Sequence, residues 1–519
     1  MSYSIEDIAF ENLYSSNDTF NVSDEEFLEK VLYTSYFPKE FPPIFTTKKF
    51  ADVVKVAIKN NSLDASKKKE YTSYYITKNN NSQRRLSIPH PLPYANVCKL
   101  LYENWEYLNH KIGENWNGER VSMIIPRNYE YSDRLVPMEY NTKTKNDVIA
   151  KLELLQKGKY IVKSDVSKAF PSIYSHSITW AIKGKKQGKE EEKNDDWVNK
   201  LDKNVRHLSN NESIGIPIST DLSNVIFELI LSCVDKVLIE NKYRYIRYID
   251  DFYCVCDTKE NAENFIILLS QALKEYNLNI NDEKSLILEA PQPIDEKWVI
   301  ELRKEVFPEI INDKNYKLVI GYLDIAVNFF RENNNASILK FAIKGLQKIS
   351  IDSLKAYISI EKYIHHITYL YPYILKDLDV FYEINKKYIS EDSLSDIIEN
   401  IIRDSNNLSK SDVLTWAFYI ALKYHIELTN ITISDVAKIN DPVTLVIAHL
   451  YYDVFKKTEY CDLIISKAEK HNSWFLSYML LDKDNLPEEE TFLKHLKKKG
   501  VSFIDKDLLK KLRKNKLLL

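Results

Sequence analysis

Cysteine is sparse in this chain. The five that occur, Cys98, Cys233, Cys254, Cys256 and Cys461, are odd in number and show no paired spacing. That excludes a disulfide scaffold and suits a reducing cytosol. Cys254 and Cys256 stand two apart in a strand-like run and share one face of it, but lack the second Cys or His pair that a zinc site needs. Long apolar runs are missing too: none approaches the ~18 residues of a membrane span. The opening MSYSIEDIAFENLYSS carries acids where a signal peptide carries an apolar core. A cytoplasmic protein with no membrane partner is therefore expected. Nor is there an excess of positive charge, since 72 Lys and Arg stand against 75 Asp and Glu for a net −3. This excludes a globally basic nucleic-acid coat and leaves room for a local basic channel. Glycine is rare, with 9 residues, of which only Gly321, Gly345 and Gly500 lie beyond residue 220.

What remains is ample for packed cores: 44% hydrophobic and 12% aromatic residues, with 28% charged, in a chain of 519. That length implies two or more domains. Up to about residue 300, strand-like runs alternate with helical ones, which predicts an α+β domain. Beyond it the period is helical. Val319, Leu323, Ala326 and Phe330 recur at spacings of three and four, as do Leu414, Phe418 and Leu422. Asp441-Pro442 reads as an N-cap followed by proline at the first helical position, and Glu332–Ser337 (ENNNAS) as a break between helices. Stacked helical pairs are expected there, and a self-assembling homo-oligomer with them. The expected division is 1–300 and 301–519. The charged stretch Lys183–Asp196 reads as a solvated loop.

The chemistry concentrates in acids. Tyr248-Ile249-Asp250-Asp251 sits between YRYIR and FYCVC, two strand-like runs, so the aspartates fall at a hairpin tip. Adjacent aspartates repel without a compensating cation, and hard carboxylate oxygens suit Mg²⁺, or Mn²⁺ in its place. Upstream, KYIVKSDVSKAFPSIY supplies a strand running into Asp165, with Phe170 five residues on. A third carboxylate at a strand end completes the set that two-metal phosphoryl transfer requires: one ion activates a 3′-hydroxyl and the other steadies pyrophosphate. Between them, Ser213–Ser219 (SIGIPIS) reads as a loop in which Gly215 allows close approach of a nucleotide or template base. A helix bearing Leu222, Ile226, Leu229 and Cys233 on one face comes next.

The order Asp-x4-Phe, Gly-x-Pro with its helix, then Tyr-x-Asp-Asp resembles motifs A, B and C of a reverse-transcriptase palm. NLNINDEKSLIL resembles motif D and RRLSIPHPLPY the fingers. YFPKEFPPIFTTKKFA (Tyr36–Ala51) and YSHSITWAIKGK (Tyr174–Lys185) are similar to segments of the abortive-infection and defence-associated reverse transcriptases, the unknown-group enzymes. The likeness spans about residues 33–290. It implies a fingers-palm domain followed by an all-α helical-repeat domain in place of a thumb. It implies catalytic and metal-binding roles for Asp165, Asp250 and Asp251, and nucleotide contacts from Arg85, Phe170, Gly215 and Lys284. Lys284 matches the lysine thought to protonate departing pyrophosphate, and Phe170 would lie under the sugar and exclude a 2′-hydroxyl. Deoxynucleotides are thus the expected substrate in an antiphage enzyme. Relatives of this branch make DNA without a template on a protein primer, giving a covalently attached product. Other defence relatives copy a partner non-coding RNA, and the sequence does not separate the two. Ser219 departs from the glycine of many relatives.

Tyr14, Tyr33 and Tyr36 are candidate primers in the N-terminal region. His365 and His366 point about 100° apart on a helix and cannot share one ion. His176 and Trp180, four apart, should stack on one helix face. Arg403 lacks the nearby histidine of an Arg-x4-His ribonuclease. A non-catalytic helical scaffold with a dead palm is the remaining alternative.

Overall fold

The computed structural model describes residues 22–78, 82–118, 120–129, 132–136, 151–156, 158–407 and 410–514. Two sheets organise the first 300 residues. A hairpin of β1 (Thr72–Thr77) and β2 (Gln83–Ile88) forms one. The other contains β3 (Tyr160–Asp165), β4 (Arg244–Tyr248), β5 (Asp251–Cys256) and β6 (Leu286–Glu289), in the order β4-β5-β3-β6 with every neighbour antiparallel. The strand-like runs read from the sequence, the one into Asp165, YRYIR and FYCVC, are β3, β4 and β5, and their alternation sets the faces. Val162, Phe252, Cys254 and Cys256 point to the core. The Lys259–Lys274 helix covers them with Ala262, Phe265, Leu269 and Leu273. Each such Leu or Phe stabilises the layer by roughly 1.5–3 kcal/mol. The Asp221–Glu240 helix packs beside it and is apolar on nearly every side, as a helix inside a core must be.

Beyond residue 300 the chain is helical, as its period predicts. Val319, Leu323, Ala326 and Phe330 are buried on the Tyr316–Asn333 helix. The ENNNAS break is real: Asn334 takes a left-handed φ of 49° and Asn335 caps the next helix through Ser337 N. Asp441 caps Pro442–Val454 by accepting from Thr444 N at 2.8 Å. Successive helices pack on their neighbours and next-but-one neighbours, from Tyr316–Asn333 to Trp474–Leu480. One departure from all-α is the parallel pair Ile310–Ile311 with Ser350–Ile351.

The expected boundary at 300 is not a gap in packing. The Ser411–Lys423 helix lies against β1, and buried Asp412 accepts from Thr77 N at 3.0 Å and Thr77 Oγ1 at 2.8 Å. Trp474 Nε1 donates to Ile88 O at 3.1 Å, and Thr46 N to Phe503 O at 2.9 Å. One continuous apolar core joins both parts, so the C-terminal helices buttress the first hairpin.

Lys183–Asp196 is not a plain solvated loop. Lys185–Glu190 forms a short helix whose Gly188 is buried against the Trp180 ring, and Lys183 pairs with Asp196 and Glu191. The apolar anchor lies outside the charged run, which hid it. Among the described residues no helix is long and apolar enough to cross a membrane.

Candidate active site

The β4–β5 hairpin turns on two residues, Ile249 and Asp250, with Tyr248 paired to Asp251. Ile249 has φ 59°, a left-handed value that suits glycine or asparagine in such a turn and is costly for a β-branched residue. The fold holds it there from beneath. Arg247, fully buried, donates Nη1 to the Ile249 carbonyl at 2.7 Å. Its guanidinium is fixed in turn by Glu228 at 2.9 and 3.0 Å and by Asp235 at 2.6 and 3.2 Å, both on the Asp221–Glu240 helix. Tyr245 and Trp116 also donate to Asp235, at 2.8 and 3.0 Å. Desolvation disfavours the Arg247 charge, and the two carboxylates outweigh it, so the group stays protonated. Sequence reading missed this cluster. Its signal was Glu228 and Asp235, seven apart within a mostly apolar helix, with Arg247 inside β4 facing them.

Asp165, at the end of β3, lies directly across from Asp251 in the β3–β5 register, and Val166 N donates to the Asp250 carbonyl at 3.2 Å. The three aspartates, far apart in sequence, therefore meet at one sheet end. Asp250 is pushed up to about 7, by burial first and then by the charges of Asp251 and Asp165. Lys284, in the Asp282–Lys284 turn, donates to Asp165 Oδ2. That bond, with further help from Asp251 and Asp250, raises its pKa. The backbone locks the turn in place: Asn281 N donates to Asp165 O at 2.7 Å and Ser167 N to Asn279 O at 2.8 Å.

As the side chains stand, no three His, Cys, Asp or Glu groups among the described residues gather closely enough to hold an ion. Asp165 faces Lys284 instead. The donor set still fits a divalent cation in kind. It offers hard carboxylate oxygens from two adjacent strands, and burial with like charge raises the proton affinity of Asp250, which an added cation would lower.

The loop before the long helix is built against the residues after Asp165. Gly215 N donates to Ile173 O at 2.8 Å and Ile216 N to Phe170 O at 3.1 Å. Gly215 has φ 88°, and a Cβ there would sit 3.2 Å from the Pro171 carbonyl, so any side chain would be strained and crowded and glycine is favoured. Phe170 is buried against Phe227, ring centroids 5.1 Å apart. Ser219, the departure from glycine, keeps a positive φ of 120°. Its Oγ donates to Ser87 O at 2.9 Å, which ties this loop to β2.

Arg85 lies apart from the acids: it is exposed on β2 with its guanidinium 5.4 Å from the Tyr71 ring centroid. Lys78, just after β1, is held below the ordinary lysine range by burial and then by the charges of Arg84 and Lys284. Those three cations therefore share one neighbourhood. Strand alternation assigns the two arginines to opposite faces, which a double-Arg sequence leaves open.

Of the tyrosines, Tyr14 lies outside the described residues. Tyr36 is fully buried with its hydroxyl on Pro89 O at 2.6 Å. Tyr33 donates to Asp52 and is pushed up to about 12 by burial and that bond. His365 is half-buried beside Tyr382 while His366 is exposed, so the pair faces apart. His176 bonds Asp202 at 2.7 Å, and Tyr174, not direct stacking, links it to Trp180 with centroids at 4.8 and 5.5 Å.

A family described as reverse transcriptase (RNA-dependent DNA polymerase) matches residues 121–303. No curated protein matches the chain. Among solved structures, it is similar to apo telomerase from Candida tropicalis truncated from its C-terminal domain, at 12% identity and TM-score 0.29, over 48% of this chain and 57% of that one. Apo telomerase from Candida tropicalis gives 12% identity and TM-score 0.33, over 74% and 77%. Telomerase from Candida albicans in complex with a TWJ fragment of telomeric RNA gives 12% and 0.29, over 74% and 71%. Residues 121–303 therefore carry a reverse-transcriptase domain.

Proposed function

We propose that the chain synthesises DNA in antiphage defence, joining deoxynucleotides at a site where Asp165, Asp250 and Asp251 hold two Mg²⁺ ions. The observation that carries this reading is the pairing of Asp165 with Asp251 beside a turn that presents Asp250. When bound, the ions activate the attacking hydroxyl and neutralise the departing pyrophosphate. Lys284, charged and beside the acids, donates a proton to that leaving group. Lys78 and Arg84 bind the triphosphate, which moves the fingers contact from Arg85 to its neighbour. Phe170, fixed by Phe227, excludes a 2′-hydroxyl, and Gly215 keeps the adjacent backbone low enough for the nucleotide to approach.

The finer reading is protein-primed, template-independent synthesis by a homo-oligomer, as the likeness to the abortive-infection branch implies. C-terminal helices seated on the first hairpin support it, because they occupy one flank of the fingers. Copying of a partner non-coding RNA is the second reading, favoured by the matched family's RNA-dependent description. Purified protein is incubated with labelled dNTPs and Mg²⁺, with and without RNase. Incorporation that survives RNase, with DNA covalently attached by mass spectrometry, supports protein priming. Loss with RNase favours the templated reading. Undiminished incorporation by Asp250→Ala/Asp251→Ala overturns the site itself.

A further inference from the structure

The cavity with the clearest ligand chemistry outside the carboxylate cluster lies between the strand leading into the first hairpin and the C-terminal helices. It has a volume of about 470 Å³ and is walled by Glu70–Ser73 and Tyr75 on one side and by the starts of the Ser411–Lys423 and Pro442–Val454 helices on the other. That volume is in the range of small-molecule sites, and no residue of the carboxylate cluster lines it. We infer that this cavity binds a nucleotide unit, a base with its phosphate, at a second site.

Three features converge on that ligand. Tyr71 and Tyr75 both line the cavity, and Tyr75 is 36% exposed, so aromatic area is available for a base to stack on. The Arg85 guanidinium, beside the cavity rather than in its lining, lies over the Tyr71 ring. It presents donors beside an aromatic face, the arrangement in which arginine binds phosphate or extends a stack. On the facing wall Asn472 is exposed and makes no hydrogen bond among the described residues, and Asn440 stands near it. An amide offers a donor and an acceptor together, which matches the edge of a base.

Asp441, the half-buried acid of the wall, accepts from Thr444 N and Oγ1 through Oδ1, and no metal-holding cluster occurs among the described residues, so a cation is disfavoured. The shared chemistry has two sources, a free nucleotide or one unit of an unpaired strand. The site is separate from the proposed polymerising centre, so its test is run without that centre's metals.

Full-length protein in EDTA is titrated into 2-aminopurine deoxyriboside 5′-monophosphate, and separately into a short unpaired DNA strand carrying one 2-aminopurine. Stacking on a tyrosine quenches the fluorescence. The expected result is saturable quenching that weakens about tenfold or more with Tyr71→Leu, is retained by Tyr71→Phe, and weakens with Asn472→Leu at unchanged Tm. Equal quenching of the monophosphate identifies a free nucleotide, and quenching of the strand alone identifies an unpaired strand. Should Tyr71→Leu fail to fold, the exposed Asn472 decides. Absence of quenching with both probes, or affinity indifferent to Asn472→Leu and to loss of the Tyr71 ring, overturns the inference.

Discussion

Arg247 holds the backbone of Ile249: a guanidinium with no solvent exposure donates to the one carbonyl that precedes the two tip aspartates. The bond spans two residues of the same hairpin, yet it depends on Glu228 and Asp235 of another element. A turn residue strained at φ 59° stays there because the surrounding structure over-determines it.

Arg247→Met tests this. Removing the cation strands two buried carboxylates, and breaking such a cluster costs about 3–5 kcal/mol, so thermal denaturation should show a large loss of Tm. The variant Arg247→Met/Glu228→Gln/Asp235→Asn removes the stranded charges and should recover much of that stability. Nucleotide incorporation should stay low in both, with kcat falling more than KM rises, because neither restores the donor to Ile249 O. Recovery of activity along with stability would mean that the cluster only supports the fold.

The metal-free protein should lose stability as pH rises. Asp250 has its pKa raised to about 7, against about 3.9 for an unperturbed aspartate. Between those values the folded state binds a proton that the unfolded state has released, so unfolding becomes easier with increasing pH across that window. In EDTA, Tm should fall from pH 5 to pH 8 in the wild type and fall less in Asp250→Asn. With Mg²⁺ the sign reverses at this site, since binding needs the ionised carboxylate and releases a proton, and incorporation should climb as pH approaches and passes about 7. A Tm profile identical in wild type and Asp250→Asn would remove Asp250 as the titrating group.

The spacing of apolar residues made the C-terminal helices legible, and Asp441-Pro442 marked a helix start that the structure reproduces at atomic detail. The strand pattern around Tyr248–Asp251 likewise yielded the hairpin and its acidic tip. What stayed hidden depends on contacts between distant segments. Arg247 reads as one more strand residue until Glu228 and Asp235 are seen to face it. The Lys183–Asp196 run looks solvated because Trp180, which orders it, lies before it. The unbroken packing across residue 300 could not be read at all, since Thr77 and Asp412 are separated by 335 positions and neither is unusual alone. The facing of charges on β2 stayed open for a simpler reason: adjacent arginines alternate faces, and a double-Arg sequence does not say which side each takes.

Arg84 and Lys78 share the neighbourhood of Lys284, whereas Arg85 turns to Tyr71. Arg84→Ala should therefore raise the KM for deoxynucleotide about tenfold or more, the effect of losing one charge-assisted phosphate contact of roughly 1.5–3 kcal/mol. Arg85→Ala should leave that KM within about twofold. Steady-state incorporation by the two variants measures both, and the opposite ranking would return the triphosphate contact to Arg85.

At the join between the two parts of the chain, Asp412 is buried, and that burial raises its pKa against the opposing pull of the Thr77 hydrogen bonds. Asp412→Ala deletes the acceptor and leaves the Thr77 N–H and hydroxyl unsatisfied in the interior, at about 1–3 kcal/mol for each buried group. Asp412→Asn keeps one carbonyl acceptor and sheds the desolvated charge, so it should cost far less. Thr77 ends the strand that leads to Lys78, so the damage should be local as well as global. Hydrogen exchange across Thr72–Ile88 should quicken in Asp412→Ala, and its KM for nucleotide should rise even below the unfolding transition. Asn in the same place should preserve both. If exchange in the hairpin is unchanged while Tm drops, the C-terminal helices stabilise the chain without controlling the fingers, and the buttressing role assigned to them is lost.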